Sequence, residues 1–146
     1  GGYPSFKARK LIKLYPVMTL KSRIVEIKKI KKGEYAGYGP NFKAEKPTVL
    51  GLIPVGYGDG YLRSLSNRGF AFLKGKRVKV VGNVSMKALY LDVTEIENPE
   101  IGDEVILLGG ENEEVPADEL ASLAGTISYE IFCSLGKSIP REYKNV

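Results

Sequence analysis

From residue 17 to residue 109 the chain is a succession of short runs rich in Val, Ile, Leu and Tyr, cut by glycine, asparagine and charged turns, with no long helical pattern between them. The runs fall at 18–30, 35–38, 48–55, 70–73, 77–81, 89–94 and 104–108. Residues of this kind suit a pleated, half-buried surface, and their close spacing leaves no room for crossover helices. Lys32-Gly33, Lys74-Gly75, Asn98-Pro99 and Ile101-Gly102-Asp103 supply turn chemistry, and Lys74-Gly75-Lys76 reads as a hairpin tip. Such strands expose unpaired edges unless the sheet closes. The expected fold is therefore mainly β, a small closed barrel-like domain, with a sandwich as the other way to hide edges.

The end of the chain has a different pattern. Pro116-Ala117-Asp118-Glu119-Leu120-Ala121 places a proline and acids ahead of an apolar-periodic segment, which predicts a short helix over 117–124 stopped by Gly125. Residues 128–135 admit two readings: Ser128 as a helix cap, or the alternation of Ile131, Cys133 and Leu135 as a strand. Residues 1–16, with Pro4, Pro16 and a basic stretch, lack a pairing pattern and read as a connector. The 146 residues suit one core of ordinary size, and no internal repeat divides them.

Composition narrows the chemistry. Histidine is absent and Cys133 is the one cysteine. That removes Ser-His-Asp triads, Cys-His dyads and Cys/His zinc sites, and no metal is expected. Acid–base work is left to Tyr, Lys, Asp or Glu. A lone cysteine cannot form an internal disulfide, no apolar run approaches the roughly 18 residues of a membrane span, and the N-terminus lacks a signal-peptide core. The expectation is a cytoplasmic protein without a membrane partner.

The net charge of +5 conceals two blocks. Residues 1–32 hold ten Lys/Arg and one acid, Glu26, whereas residues 88–136 hold no basic residue and 92–119 carry eleven carboxylates. Two surfaces of opposite sign follow. The basic arm raises nucleic-acid binding as one function. Lys28, Lys29, Lys31 and Lys32 are not interleaved with base-stacking aromatics, however, so a solvated strand face plus connector is the simpler reading and no nucleic-acid partner is expected. The clustered carboxylates lie amid turns without apolar cover, as on a solvated acidic face rather than in a glycosidase-like pair.

Three Gly/Tyr-rich segments are candidates for function: Gly37-Tyr38-Gly39, Val55-Gly56-Tyr57-Gly58-Asp59-Gly60-Tyr61, and Thr126-Ile127-Ser128-Tyr129-Glu130. Glycine on either side of a tyrosine leaves the phenol unscreened and the backbone free, but it also suits a barrel bend or an edge strand. The 56–60 run is superficially similar to a phosphate loop, yet it lacks GxGxxG spacing and no clear helix follows it.

Further motifs bind these segments into one pattern. Pro16-Val17-Met18-Thr19-Leu20-Lys21-Ser22-Arg23 precedes them, with Tyr3-Pro4-Ser5 upstream. Between and after them come Ile53-Pro54, Arg63-Ser64-Leu65-Ser66-Asn67, Val81-Gly82-Asn83-Val84-Ser85-Met86, Asp92-Val93-Thr94, Ile101-Gly102-Asp103-Glu104-Val105 and Ile139-Pro140-Arg141. In this order and spacing the chain resembles the C-terminal β-domain of alanine racemases, the pyridoxal 5'-phosphate enzymes that interconvert L- and D-alanine for cell-wall precursors. The resemblance covers nearly the whole chain.

That resemblance implies a connector at 1–16 from an N-terminal barrel domain and the β-domain proper at 17–146. It implies a homodimer whose active site lies between the barrel of one subunit, carrying the cofactor lysine, and the β-domain of the other. No lysine of this chain matches the cofactor lysine, so the chain alone is expected to be inactive. Residue by residue, Tyr38 matches a catalytic base, Met86 the backbone N–H that meets the substrate carboxylate, Tyr129 the tyrosine near the cofactor phosphate, and Tyr57 and Arg63 the substrate entryway. Racemisation needs proton removal on one face of Cα and delivery on the other, which a lysine and a tyrosine from different domains satisfy. A tyrosine, with an ordinary pKa of about 10, needs a neighbouring positive charge or a relay to serve as base.

The chain departs from the family at three places. Asn83 replaces the usual Arg, Ser85 the usual Cys, and Lys87 the usual Asp, reversing a charge beside Met86. The resemblance then implies a small amino acid as substrate, alanine or a close relative such as serine. A non-catalytic dimerisation domain is the alternative that keeps the fold but drops Tyr38.

Overall fold

A computed structural model of the chain describes residues 3, 7–11, 13–136 and 138–144. Pro4 and Ser5 of the upstream motif lie outside the described residues. Seven strands form among the described residues: β1 (Leu20–Arg23), β2 (Glu26–Ile30), β3 (Thr48–Ile53), β4 (Phe70–Leu73), β5 (Lys76–Val81), β6 (Leu89–Asp92) and β7 (Glu104–Leu108). Helices α1 (Ala117–Ala124) and α2 (Ser128–Ser134) follow. The strands pair antiparallel in the order β1-β7-β4-β5-β6-β3-β2.

This order explains how the sheet hides its edges. β1 and β2 are consecutive in the chain yet stand at opposite ends of the sheet, so the sheet curls until its ends meet at Ile24 and Val25. There the Ile24 N–H donates to the Asp103 carbonyl at 3.0 Å and the Val25 N–H to the Leu52 carbonyl at 2.9 Å, one bond to each flank. The single run expected at 18–30 is thus two strands around a corner, with Ile24 buried at the bend and Val25 exposed. β5 makes the same passage, pairing first with β4 and then with β6. The result is barrel-like and mainly β.

The β4–β5 hairpin turns at Lys74 and Gly75, both at positive φ (46° and 80°), the geometry that matches the twist of a two-residue hairpin. The expected strand at 35–38 does not form. Gly37 and Gly39 sit at φ of +77° and +84°, which breaks an extended chain, so pairing shrinks to one bridge between Tyr35 and Lys43. Residues 34–44 form a flap closed by the Ala36 N–H to Phe42 carbonyl bond at 3.1 Å and the Ala44 N–H to Glu34 carbonyl bond at 2.8 Å.

The main core fills the curl with Ile24, Ile53, Leu89, Leu91, Val105 and Leu107, all at most 1% exposed, and α1 caps it through Leu120 and Ala121. Asp118 and Glu119 in the first turn of α1 suit the positive end of its dipole, and Gly125 at φ +75° ends it. A smaller apolar cluster joins Ala36, Phe42 and Ala44 of the flap to Ile30, Leu50, Val81 and Tyr90 of the sheet. It fixes the flap's two shoulders and leaves the tip, 37–41, outside. Segment 128–135 is resolved as helix, because Ser128, Ile131 and Leu135 are buried at helical spacing while Cys133 is exposed.

The two charge blocks meet in surface ion pairs, Lys21 Nζ to Glu104 Oε1 at 2.9 Å and Arg23 Nη2 to Glu104 Oε2 at 3.9 Å. Exposed pairs of this kind add little stability. Among the described residues no helix is long and apolar enough to cross a membrane.

Candidate functional site

Residues 56–60 lie flat against 85–87, and glycine is what permits it. A Cβ at Gly56 would stand 2.1 Å from the Ser85 carbonyl oxygen, and one at Gly58 would stand 2.9 Å from that of Met86. Instead the Tyr57 N–H donates to the Ser85 carbonyl at 3.0 Å and the Gly58 N–H to the Met86 carbonyl at 2.8 Å. Tyr57 therefore sits in a 3-10 turn, Tyr57–Asp59, stitched to the segment that carries Met86. Gly60 is tighter still: at φ +98°, a Cβ there would lie 1.8 Å from the Ser134 carbonyl oxygen, so the end of α2 docks directly on this turn. The Ser134 hydroxyl donates to the Gly60 carbonyl at 2.8 Å and the Gly136 N–H to the Asp59 carbonyl at 3.1 Å.

Met86 occupies the tip of a turn at 85–88. Ser85 Oγ donates to the Ala88 carbonyl at 2.9 Å and accepts from the Ala88 N–H at 3.1 Å, so the serine closes this turn itself. Among the described residues the Met86 N–H donates to nothing, while its carbonyl is held by Gly58. The Ser85–Met86 peptide group is anchored through its carbonyl by the Tyr57 N–H and offers its own N–H unbonded, an arrangement suited to a carboxylate oxygen.

Lys87 does not leave an uncompensated charge beside Met86. Its Nζ lies 2.6 Å from Asp59 Oδ1, and Asp59 Oδ2 accepts from the Gly56 N–H at 3.1 Å. Asp59 is 8% exposed. Burial works against its charge, but the hydrogen bonds from Lys87 and Gly56, with the lysine's charge and Ser138, hold its carboxyl below the ordinary carboxylate value. The reversal of charge expected from sequence is thus cancelled within this chain.

Tyr38 stands at the tip of the flap, 82% exposed, and among the described residues its hydroxyl makes no hydrogen bond. Its carbonyl accepts from Asn83 Nδ2 at 2.8 Å, three residues before Met86. Arg63 is exposed in the 3-10 turn Arg63–Leu65, and the adjoining Ser66 Oγ accepts from the Val84 N–H at 2.9 Å. Tyr38, Tyr57, Arg63 and Met86 are therefore mounted on segments bonded to one stretch, 82–87. Tyr129 is the exception. It is half-exposed at the start of α2, whose far end, at Ser134, docks on the turn at 57–60. Asn41, Asn67 and Asp59 were not singled out by sequence as site residues; their partners lie 26 to 42 residues away, or 28 for Asp59, beyond any local pattern.

Exposed tyrosines and, among the described residues, an unbonded backbone donor on the rim of a barrel-like antiparallel sheet define a class: a small β-domain whose polar rim is open to solvent. The chain belongs to the alanine racemase C-terminal domain family, whose model matches residues 17–143. It is 46% identical over 146 residues to an alanine racemase of Syntrophobacter fumaroxidans, covering 99% of this chain and 39% of that protein. The crystal structure of alanine racemase from the D-cycloserine producer Streptomyces lavendulae superposes with a TM-score of 0.93 at 34% identity, covering all of this chain and 39% of that one. An alanine racemase from Bartonella henselae with covalently bound pyridoxal phosphate gives a TM-score of 0.76 at 32% identity, covering 82% of this chain and 33% of that one. The chain thus spans well under half the length of these relatives.

Proposed function

We propose that the chain is the β-domain of a pyridoxal-phosphate-dependent racemase of alanine or a similarly small amino acid, supplying D-alanine for cell-wall precursors, and that it contributes Tyr38 in trans to the partner subunit of a homodimer. In this reading residues 1–16 connect it to a barrel domain that carries the cofactor lysine, and the whole enzyme is cytoplasmic. The observation that carries the proposal is the pairing of an exposed Tyr38 phenol with the Met86 N–H, both without a partner among the described residues, on segments bonded through Asn83.

These residues fit the cofactor as one wall of its site, because Tyr38, Tyr57, Met86 and Tyr129 are exposed and, among the described residues, neither the three hydroxyls nor the Met86 N–H has a hydrogen-bond partner. The Tyr129 hydroxyl would donate to the phosphate, and pyridoxal phosphate, when bound, supplies the electron sink that acidifies the Cα–H bond. The Met86 N–H would orient the substrate carboxylate. The Tyr38 oxygen would take the Cα proton from one face or return it there, opposite the lysine of the other subunit. Tyr57 and Arg63 would line the entryway. Among the described residues no cation bonds to the Tyr38 hydroxyl, so any charge that assists it comes from the facing half.

Tyr38→Phe in the full-length enzyme tests this. Inversion should fall at least about 10²-fold, while exchange of the Cα proton of one enantiomer with solvent deuterium persists through the lysine. A Tyr38→Phe enzyme that still inverts alanine and serine at the parent's rate would sink the assignment and favour a dimerisation role. Turnover of alanine by the isolated chain would equally refute the half-site reading. Strongly salt-dependent binding of DNA or RNA by residues 7–32 would revive the nucleic-acid alternative.

A further inference from the structure

Residues 37–40 stand apart from the rest of the barrel. Among the described residues they pair with no strand, Gly37 and Gly39 on either side of Tyr38 give the backbone little torsional preference of its own, and the apolar cluster beneath the flap stops at Ala36 and Phe42. Among the described residues they receive one hydrogen bond, from Asn83 Nδ2 to the Tyr38 carbonyl at 2.8 Å.

That amide is itself held at its other end. Asn83 Oδ1 accepts from Asn41 Nδ2 at 2.7 Å, the Asn41 carbonyl accepts from Asn67 Nδ2 at 2.8 Å, and Asn67 Oδ1 accepts from the Gly82 N–H at 2.7 Å. Three asparagines thus run in series from the end of β5 to the flap tip: the side-chain amides of Asn67 and Asn83 each donate and accept, and Asn41 between them accepts through its backbone carbonyl and donates through its side chain. Asn67 adopts φ 56°, a left-handed conformation that asparagine tolerates, which turns its amide back toward Gly82. Gly82, at φ +74°, brings the end of β5 so close beneath the flap that a Cβ there would lie 2.7 Å from the Ala36 carbonyl oxygen.

We infer that Asn83 is a positioning residue for Tyr38, and that the Asn67–Asn41–Asn83 chain fixes the place and mobility of the flap tip. The inference rests on the reading of Tyr38 as the proton-transfer group. Its physical content is that burial holds the flap's shoulders whereas one amide holds its tip, so the tip can be released without unfolding the barrel.

Two substitutions separate hydrogen bonding from packing. Asn83→Ala removes the amide. Asn83→Asp keeps its size and the acceptor for Asn41 but sets an acceptor against the Tyr38 carbonyl. In the 146-residue chain, backbone 15N order parameters at 37–41 should fall in both variants from a rigid value of about 0.85 to below about 0.6. The melting temperature should stay within about 3 °C of the parent. In the full-length enzyme both variants should lower kcat about 10- to 100-fold with KM within about threefold, because a displacement near 1 Å at a reacting group has effects of that size. Unchanged order parameters, or loosening that appears only together with a large loss of melting temperature, would overturn the anchoring. Loosened tips with parental kcat, when Tyr38→Phe abolishes inversion, would overturn the positioning role and leave Tyr38 standing. If Tyr38→Phe keeps the parental rate, the catalytic reading fails, and the positioning role with it.

Discussion

Tyr61 and Tyr38 belong to one small domain and are held in opposite ways. Tyr61 is 3% exposed in the main core, where burial pushes its phenol far above the ordinary tyrosine value and its hydroxyl has no protein partner among the described residues. Tyr38 is 82% exposed, and its place is set through its backbone. The contrast teaches that the barrel uses apolar burial to make a sealed scaffold and uses glycine contacts and amides to hold a solvent-facing rim on it. A side chain that must meet a molecule from outside cannot also be fixed by burial.

The largest test of this contrast lies where rim and scaffold are pressed together. Gly60→Ala places a Cβ 1.8 Å from the Ser134 carbonyl oxygen at φ +98°, so the turn at 57–60 and the end of α2 cannot both keep their positions. A loss of about 4 kcal/mol or more is expected in urea unfolding. A loss below about 1 kcal/mol would show that the rim is not docked as described.

Asp59 gives an intermediate effect with a definite pH dependence. Its carboxyl titrates lower in the folded chain than in the unfolded one, so the unfolded state binds the proton more readily. The stability it contributes is complete above the unfolded carboxylate value of about 3.9 and is lost as pH falls through the lower folded value. Asp59→Ala should cost about 2 kcal/mol at pH 7, the gap to the parent narrowing in acid. Thermal unfolding from pH 7 down to pH 2 measures this, and a gap that widens in acid would contradict it.

The smallest effects sharpen the contrast between the tyrosines. Tyr61→Phe removes a buried hydroxyl packed against Gly69, where a Cβ would stand 2.7 Å from it, and should leave stability equal or raise it by about 1 kcal/mol. Tyr38→Phe should change stability by less than about 0.5 kcal/mol, because an exposed side chain with no bonds leaves nothing unpaired. A destabilisation by Tyr38→Phe larger than that by Tyr61→Phe would reverse the account.

The strands were legible because short runs of Val, Ile, Leu and Tyr are cut by turn residues, and in β6 the two leucines face inward and are buried while Tyr90 and Asp92 between and after them are only partly so. The corner at Ile24 and Val25 was not legible, since apolar and charged residues run on through it and only the pairing partners change. α2 was ambiguous because the polar Ser128 occupies a buried position that would otherwise mark the helical face. The Gly-Tyr-Gly motif announced an unscreened phenol but misplaced it on a strand; the positive φ values at Gly37 and Gly39 make it a flap tip. Lys87 read as a charge reversal because its partner, Asp59, belongs to a different turn. Local pattern thus reached the elements, and the contacts between distant loops that build the rim lay beyond it.

The central claim, that Tyr38 serves an active site completed by another subunit, is tested most directly by subunit mixing. One full-length variant carries Tyr38→Phe and a second lacks the cofactor lysine of its barrel, each inactive alone. After subunits exchange, a twofold hybrid holds one site with both residues intact and one with neither, so racemisation should reappear on mixing. Exchanged hybrids that stay as inactive as their parents would show that tyrosine and lysine work within one chain, and would contradict the account.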